Sequence, residues 1–408
     1  MYLTEKYILY NKFNGAEVFQ SLDNYLSSLQ DYWQFEAFHH GDYPWIKSNA
    51  NLSQFLETLS DHEVQLYQQH PEKLHLHLKA FIPDLGAFND ALFSTEVLSP
   101  VEFNVPFWLK SGIKGRKWSQ ITAFAQQINT VNPVVEWCAG KGHLGRLISW
   151  QKQLPVTSIE WQKVLCDIGQ AEALKMNLSQ TFKQADVLTG EADSDIKESS
   201  HIIALHACGD LHLHLIKKAA QNQPANITIS PCCYHLTTQS IYLPCSELGK
   251  TSSLKISKQV LKLAVSKQST TGKRQSRLSE QEVLWRLAFD ELQKHCLNTN
   301  EYCPLPSFPT TLLSGPFNEF VLWAIQQKSL QFEMPDSLSV FLDLGSKRLK
   351  KVRRMELISQ FFVRPLELWL VYDRALALQD SGYQVQVASF CDTHITPRNL
   401  LIKATLVK

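Results

Sequence analysis

Val134-Val135-Glu136-Trp137-Cys138-Ala139-Gly140-Lys141-Gly142-His143-Leu144-Gly145 is the stretch whose reading decides the fold. An apolar run, Val134 to Trp137, enters a glycine-rich turn, after which Leu144, Leu147 and Ile148 return at helical spacing. The pattern predicts a strand, a tight turn and a helix. Gly140 and Gly142 can take positive φ and carry no Cβ, so a ligand can lie against the backbone there. The amide groups that open the following helix favour a polar or anionic group above the strand.

Two ligand classes share that geometry. The spacing of Gly140, Gly142 and Gly145 satisfies the dinucleotide pattern GxGxxG, with Glu160 placed for a ribose. Glu136 leans the reading the other way. A carboxylate on the first strand would face a cationic amine, which S-adenosylmethionine carries in its methionine half and NAD lacks.

Downstream the chain alternates strand and helix, the signature of a parallel doubly wound sheet. Strands are expected at Val156–Ile159, Phe182–Ala185, His201–Leu205 and Ile227–Ile229, with helices at 118–128 and 162–177. Tyr383–Phe390 and Asn399–Val407 read as an antiparallel hairpin that closes the sheet. Ligands in such sheets lie over the carboxyl ends of strands, so Glu160, Asp186, His206-Ala207-Cys208-Gly209-Asp210 and Ser230-Pro231-Cys232-Cys233-Tyr234-His235 are expected on one rim. Glu160 suits a pair of ribose hydroxyls and Asp186 an adenine amino group. The soft ligands His206, Cys208, Cys232, Cys233 and His235 raise the question of zinc. Adjacent cysteines seldom ligate one metal together, and no CxxC spacing is present, so no metal is expected. The cluster reads instead as a compact wall beside a methyl donor, with Tyr234 and His235 touching the acceptor.

Outside this region the sequence bounds the answer more loosely. The 408 residues are 44% apolar, enough for a large core and two or three modules. The 40 basic and 39 acidic residues nearly cancel, so contact with nucleic acid must be a local patch. No apolar run reaches membrane-spanning length, the start Met1–Lys6 lacks a signal-peptide layout, and the nine cysteines have no framework spacing. A cytoplasmic protein is expected. Residues 1–105 read as a helical amino-terminal module for substrate docking or dimerisation. Residues 106–408 read as the α/β domain, with an insertion at about 236–361. Two basic stretches suit an RNA backbone: Lys114-Gly115-Arg116-Lys117, and Lys347-Arg348-Leu349-Lys350-Lys351-Val352-Arg353-Arg354, where six of eight residues are cations.

The ordered set Glu136 to Leu144, Leu205 to Asp210 and Ser230 to His235 resembles the class I S-adenosylmethionine-dependent methyltransferase family with a PCCYH motif. That family includes the methyltransferase half of the glutathione S-transferase C-terminal domain-containing protein and relatives named for a ribosomal RNA adenine dimethylase domain. Pro365-Leu366-Glu367, Asp373-Arg374 and Thr396-Pro397-Arg398-Asn399 extend the likeness. The resemblance implies a Rossmann-like, seven-stranded, mostly parallel sheet and a methyltransferase acting on tRNA or rRNA. It implies donor contacts from Glu136, Cys138, Ala139, Gly140, Gly142, Leu144, Glu160, Asp186 and His206, with Asp210, Tyr234 and His235 as catalytic candidates. Ser-Pro-Cys-Cys-Tyr only imitates the Asn-Pro-Pro-Tyr of amino-methylating enzymes and falls one strand late, which speaks against adenine N6 as the target.

Overall fold

Val134 to Trp137 are buried along their whole length, as expected of a central parallel strand covered on both faces. The computed structural model describes residues 14–88, 104–266, 273–299, 301–302 and 304–407. The parts of the expected amino-terminal module at 1–13 and 89–103 lie outside them. The strands are β1 (Val134–Trp137), β2 (Val156–Glu160), β3 (Gln180–Gln184), β4 (His201–Cys208), β5 (Asn226–Cys232), β6 (Tyr383–Ser389) and β7 (Leu400–Leu406). They form a seven-stranded sheet in the order β3-β2-β1-β4-β5-β7-β6. β1 to β5 are parallel, and β7 runs antiparallel between β5 and β6. This is the Rossmann-like architecture of class I methyltransferases. Helices His143–Lys152, Lys163–Lys175 and Asp210–Asn222 follow β1, β2 and β4. Strand order reverses between β1 and β4, which opens a crevice at their carboxyl ends.

Contacts divide the chain into two units whose segments interleave in sequence. The first takes in Met1–Ser28, Ala87–Lys267 and Val363–Lys408, and holds the sheet. Within it, helix Gly15–Ser28 packs on helix Val363–Asp380. Asp23 Oδ1 accepts from Ser252 Oγ at 2.5 Å and from Trp369 Nε1 at 2.8 Å, and Phe19 lies against the Trp369 ring. A core of Phe124, Leu144, Leu147, Ile148, Ile203 and Leu401 fills one side of the sheet.

The second unit joins Leu29–Gly86 to Gln268–Phe362. Helices Lys273–Leu297 and Ser339–Ser359 meet backbone to backbone, since a methyl group on Gly345 would lie 2.7 Å from the Ala288 nitrogen. Around them Trp285, Phe289, Phe320 and Phe341 form a separate aromatic core. The expected boundary at residue 105 therefore gives way to a different division. The apolar faces of 29–86 are covered by the inserted helices, while the helix at 15–28 finds its cover on 363–380. Among the described residues, no helix is long and apolar enough to cross a membrane.

A candidate active site at the strand ends

Two glycines of the β1 turn have different surroundings. Cys138, Gly140 and Gly142 all have positive φ, at 57°, 58° and 62°. A methyl group on Gly140 would meet nothing within 4 Å, so this residue presents bare backbone to open space. On Gly142 it would lie 2.3 Å from Phe182 Cζ, and on Gly145 it would lie 2.4 Å from Glu136 Oε2. Those two positions serve close packing of helix on sheet. Glu160, at the end of β2, accepts the Gly140 N–H on Oε2 at 2.9 Å and the Gln162 N–H on Oε1 at 3.1 Å. Ala139 donates to the Ile159 carbonyl at 2.8 Å and accepts from Gly142 at 2.9 Å. The turn is thus tied to β2 with the Gly140 face left clear.

Glu136 differs from the expectation drawn from the sequence. Its carboxylate is 3% exposed and turned under the first turn of the helix, where Oε2 accepts from Ser158 Oγ at 2.6 Å. The Gly145 N–H also reaches it. Ser158 stands beside Glu136 in register on β2, so the two share a face of the sheet. Gln180 of β3 completes the set, donating to Ser158 Oγ at 2.8 Å and to the Gly142 carbonyl at 2.9 Å. Burial drives the Glu136 carboxyl up to about 7 against the opposing pull of these donors and of Arg146 and Lys117. It supports the loop from below rather than meeting a ligand on the rim. Leu144 likewise faces inward, joining the core.

Other residues remain on the rim. Asp186 is exposed just beyond β3, with Oδ1 accepting the Leu188 N–H at 2.9 Å. Trp161, which pattern reading passed over, is 65% exposed immediately after Glu160. The signal was its place: an aromatic next to an acid at a strand end.

At the far side of the crevice, β4 and β5 lose regular register between Leu205 and Cys208. His206 sits there at φ 67°, and its Nε2 meets the side-chain amide of Gln120. Burial, with Lys117 and Arg398 nearby, holds its imidazole down at about 4, so the ring is neutral at physiological pH. Gly209 is obligatory: a methyl group there would lie 1.8 Å from the Leu236 carbonyl oxygen. Asp210 accepts from the Thr238 amide at 2.8 Å and from its hydroxyl at 3.1 Å, which fastens the loop after β5 to the end of β4. Both bonds fall on Oδ2, so the fastening uses one oxygen of a partly exposed carboxylate.

Tyr234 also departs from the expectation. It is 2% exposed, beneath the Arg374 guanidinium at 4.9 Å from the ring centroid. Burial raises its phenol well above the ordinary range, so it is a structural part of the rim. Arg374 donates to His212 Nε2 at 2.7 Å and to Tyr242 Oη at 3.0 Å. Asp373 accepts from Tyr242 Oη at 2.6 Å and from Ser246 Oγ at 2.6 Å. This buried network explains the Asp373-Arg374 pair: it pins the β5 loop and the segment at 242–246 to helix Val363–Asp380. Of the three catalytic candidates, Asp210 and His235 stay partly open while Tyr234 is buried, and the buried Nδ1 of His235 lacks a hydrogen-bond partner. Burial, with Lys262, Lys258 and Arg398 close by, lowers its imidazole below the usual value.

The basic segments separate in the structure. Lys114, Arg116 and Lys117 are exposed at the start of helix Gly115–Ala125. The adjoining Phe107 and Trp108 help line a cavity of about 740 Å³ with Lys141, Arg146 and Lys175. In the run at 347–354, by contrast, Arg348 is buried against Asp290 and Glu291 and donates to the Phe38 carbonyl at 2.8 Å. Arg354 is buried too, donating to the carbonyls of Leu56 at 2.8 Å and Leu59 at 2.6 Å. Lys350, Lys351 and Arg353 pair with Asp61, Asp42 and Glu280. The helix does not offer six cations to solvent, because two of them hold its own unit together.

Residues 116–240 match a family model described as a methyltransferase domain. No curated protein matches the chain. Among solved structures the chain is similar to the Pyrococcus abyssi tRNA (uracil-54, C5)-methyltransferase in complex with S-adenosyl-L-homocysteine. That match has 16% identity over 28% of this chain and 28% of the other, and a TM-score of 0.23. Another is the Streptomyces coelicolor geranyl diphosphate C-methyltransferase, at 11% identity over 33% and 57%, TM-score 0.25. A third is a TehB-like methyltransferase from Corynebacterium glutamicum, at 11% over 27% and 60%, TM-score 0.23. The chain spans less than two thirds of each of these structures. The glycine turn and strands β1 to β5 all fall within the residues that match the methyltransferase-domain model.

Proposed function

We propose that this protein is an S-adenosylmethionine-dependent methyltransferase acting on RNA, of the kind carrying a PCCYH motif. The observation that carries the reading is the clear backbone face at Gly140, held in place by Glu160 at the strand-order reversal. The residues present fit the donor. In this reading Gly140 and Ala139 offer backbone against which it lies, Glu160 and Asp186 are assigned to the ribose hydroxyls and the adenine amino group, and Trp161 supplies an aromatic face. Cys138 and His206 flank the crevice, and Glu136 keeps the turn rigid from beneath. Bound there, S-adenosylmethionine supplies an electrophilic sulfonium methyl. The chain contributes positioning and exclusion of water, which suffice for an in-line displacement. An acceptor atom that must lose a proton has a neutral imidazole nearby in His235.

RNA is favoured as acceptor by cations of the sheet-bearing unit. Lys114, Arg116 and Lys117 are exposed, and Lys258, Lys262 and Arg398 surround His235. Phe107, 75% exposed, and Trp108 offer stacking surface beside the first group. A cytoplasmic location belongs to the same reading. Calorimetric titration with S-adenosylhomocysteine tests the donor half, and heat of binding that persists unchanged in Gly140→Val would overturn it. Tritium transfer from labelled donor into fractionated RNA and protein of a strain lacking this chain tests the acceptor half. Label in the protein fraction alone ends the RNA reading.

A further inference from the structure

Cys208, Cys232 and Cys233 converge where β4 and β5 end, and no part of methyl transfer as proposed uses them. Their sulfur atoms all lie within 4.8 Å of one another, with Cys208 Sγ 3.2 Å from Cys232 Sγ. Zinc bonded to sulfur at about 2.3 Å in a tetrahedron holds its thiolates roughly 3.8 Å apart, within that envelope. A disulfide requires about 2.05 Å, a larger departure from the observed spacing.

The objection from sequence was that adjacent cysteines seldom ligate one metal together, and on a strand successive side chains do point to opposite faces. Cys233 escapes it. Its backbone is left-handed, at φ 47°, so the chain turns as it leaves β5 and the Cys233 thiol gathers with that of Cys232. The irregular register between Leu205 and Cys208 brings Cys208 level with Cys232 from the other strand. Hydrogen bonding within the cluster lowers the Cys233 thiol and raises that of Cys232, so without a cation the group favours a single thiolate, and a bound cation would draw off the remaining protons. Thiolate is the ligand form. Three thiolates and a divalent cation leave one net negative charge, and Arg398 with Lys258 and Lys262 stands near to offset it.

We infer that Cys208, Cys232 and Cys233 are three thiolate ligands of a zinc ion at the carboxyl ends of β4 and β5, with the fourth position left to solvent. Binding forms three Zn–S bonds and releases to solvent whichever thiol protons remain; nothing is oxidised or reduced. A zinc site with three protein ligands keeps an open position, here on the acceptor rim. The inference stands independently of the donor and acceptor proposed above.

The test uses the full chain, reduced, stripped with a chelator and titrated with zinc against a chromophoric competitor. The expected stoichiometry is about one zinc per chain. Cobalt in its place should give thiolate-to-metal charge-transfer absorption and the intense visible bands of a tetrahedral site. Cys208→Ser and Cys233→Ser should each weaken zinc binding at least tenfold, while Cys391→Ser, buried elsewhere in the same unit, should leave it unchanged. Circular dichroism confirms that the variants are folded. If the serine variants do not fold, the wild-type cobalt spectrum decides. A wild-type chain that takes no zinc, a cobalt spectrum without charge-transfer bands, or zinc affinity unmoved in both folded serine variants would each overturn the inference. So would a Cys208–Cys232 disulfide found in the metal-replete protein by non-reducing peptide mapping.

Discussion

Gly140 and Gly142 share a backbone conformation but should fail differently when substituted. Gly140→Ala adds a methyl group to open space, so its cost in stability is the left-handed strain of about 1–2 kcal/mol. Because that methyl group occupies the face offered to the donor, affinity for S-adenosylhomocysteine should fall at least tenfold, about 1.4 kcal/mol. Gly142→Ala meets the Phe182 ring as well, adding about 1–3 kcal/mol of overpacking, and should show first as a lower urea midpoint. Equal losses of affinity and stability at both positions would refute the division between them. Glu136 carries a pH prediction. Burial raises its carboxyl from 4.5 to about 7, so between those values the folded chain holds a proton that the unfolded chain releases. Stability from this group is present in full below 4.5 and is lost as pH rises through 7. Glu136→Gln should flatten that decline in urea titrations run from pH 5 to 8, and an unchanged slope would show that the carboxyl does not titrate there. What the sequence could say about this residue was its type and place. Which way its side chain turns depends on Ser158 and Gln180, which sit on two other strands.

At the scale of elements, periodicity was the dependable guide. The parallel strands and the closing hairpin fall within a few residues of where apolar spacing and glycine punctuation put them, with β3 starting early at Gln180 and β4 and β5 running on to Cys208 and Cys232, because each is set by residues close in the chain. The basic helix was less readable. Its charges are conspicuous in one dimension, but their partners Asp290, Glu291, Phe38, Leu56 and Leu59 come from distant segments. The same limit applied to the thiol cluster: the cysteines were expected on one rim, but their convergence depends on two strands and a kink that no spacing rule announces. Arg348→Ala should therefore cost about 3–5 kcal/mol, since it strips a buried carboxylate, Asp290 at 1% exposure, of its guanidinium. Lys347→Ala, at an exposed position of the same helix, should change stability by less than about 0.5 kcal/mol. Chemical unfolding of the two variants separates a structural run from a surface one. If both proved neutral, the arginine would not be holding its unit together.

For the molecule as a whole, two interleaved units with separate cores imply that ligand binding should register on the one that holds the sheet. S-adenosylhomocysteine at a hundred times its dissociation constant should stabilise that unit by about 2.7 kcal/mol, visible as a ligand-dependent rise in its thermal midpoint. Hydrogen exchange in β1 and β4 would locate the effect, and protection confined to residues 29–86 would place the donor elsewhere. The position of β7 has a further consequence, for biosynthesis. It is the last strand among the described residues yet lies inside the sheet, paired on both edges. While a ribosome moves from Cys232 to Leu400, roughly ten to thirty seconds at about 5–20 residues per second, the flank of β5 has no permanent neighbour. During that interval the nascent chain exposes a row of unsatisfied amides and carbonyls beside three clustered thiols, so its dependence on chaperones and on reducing conditions should be greater before β7 is made than after.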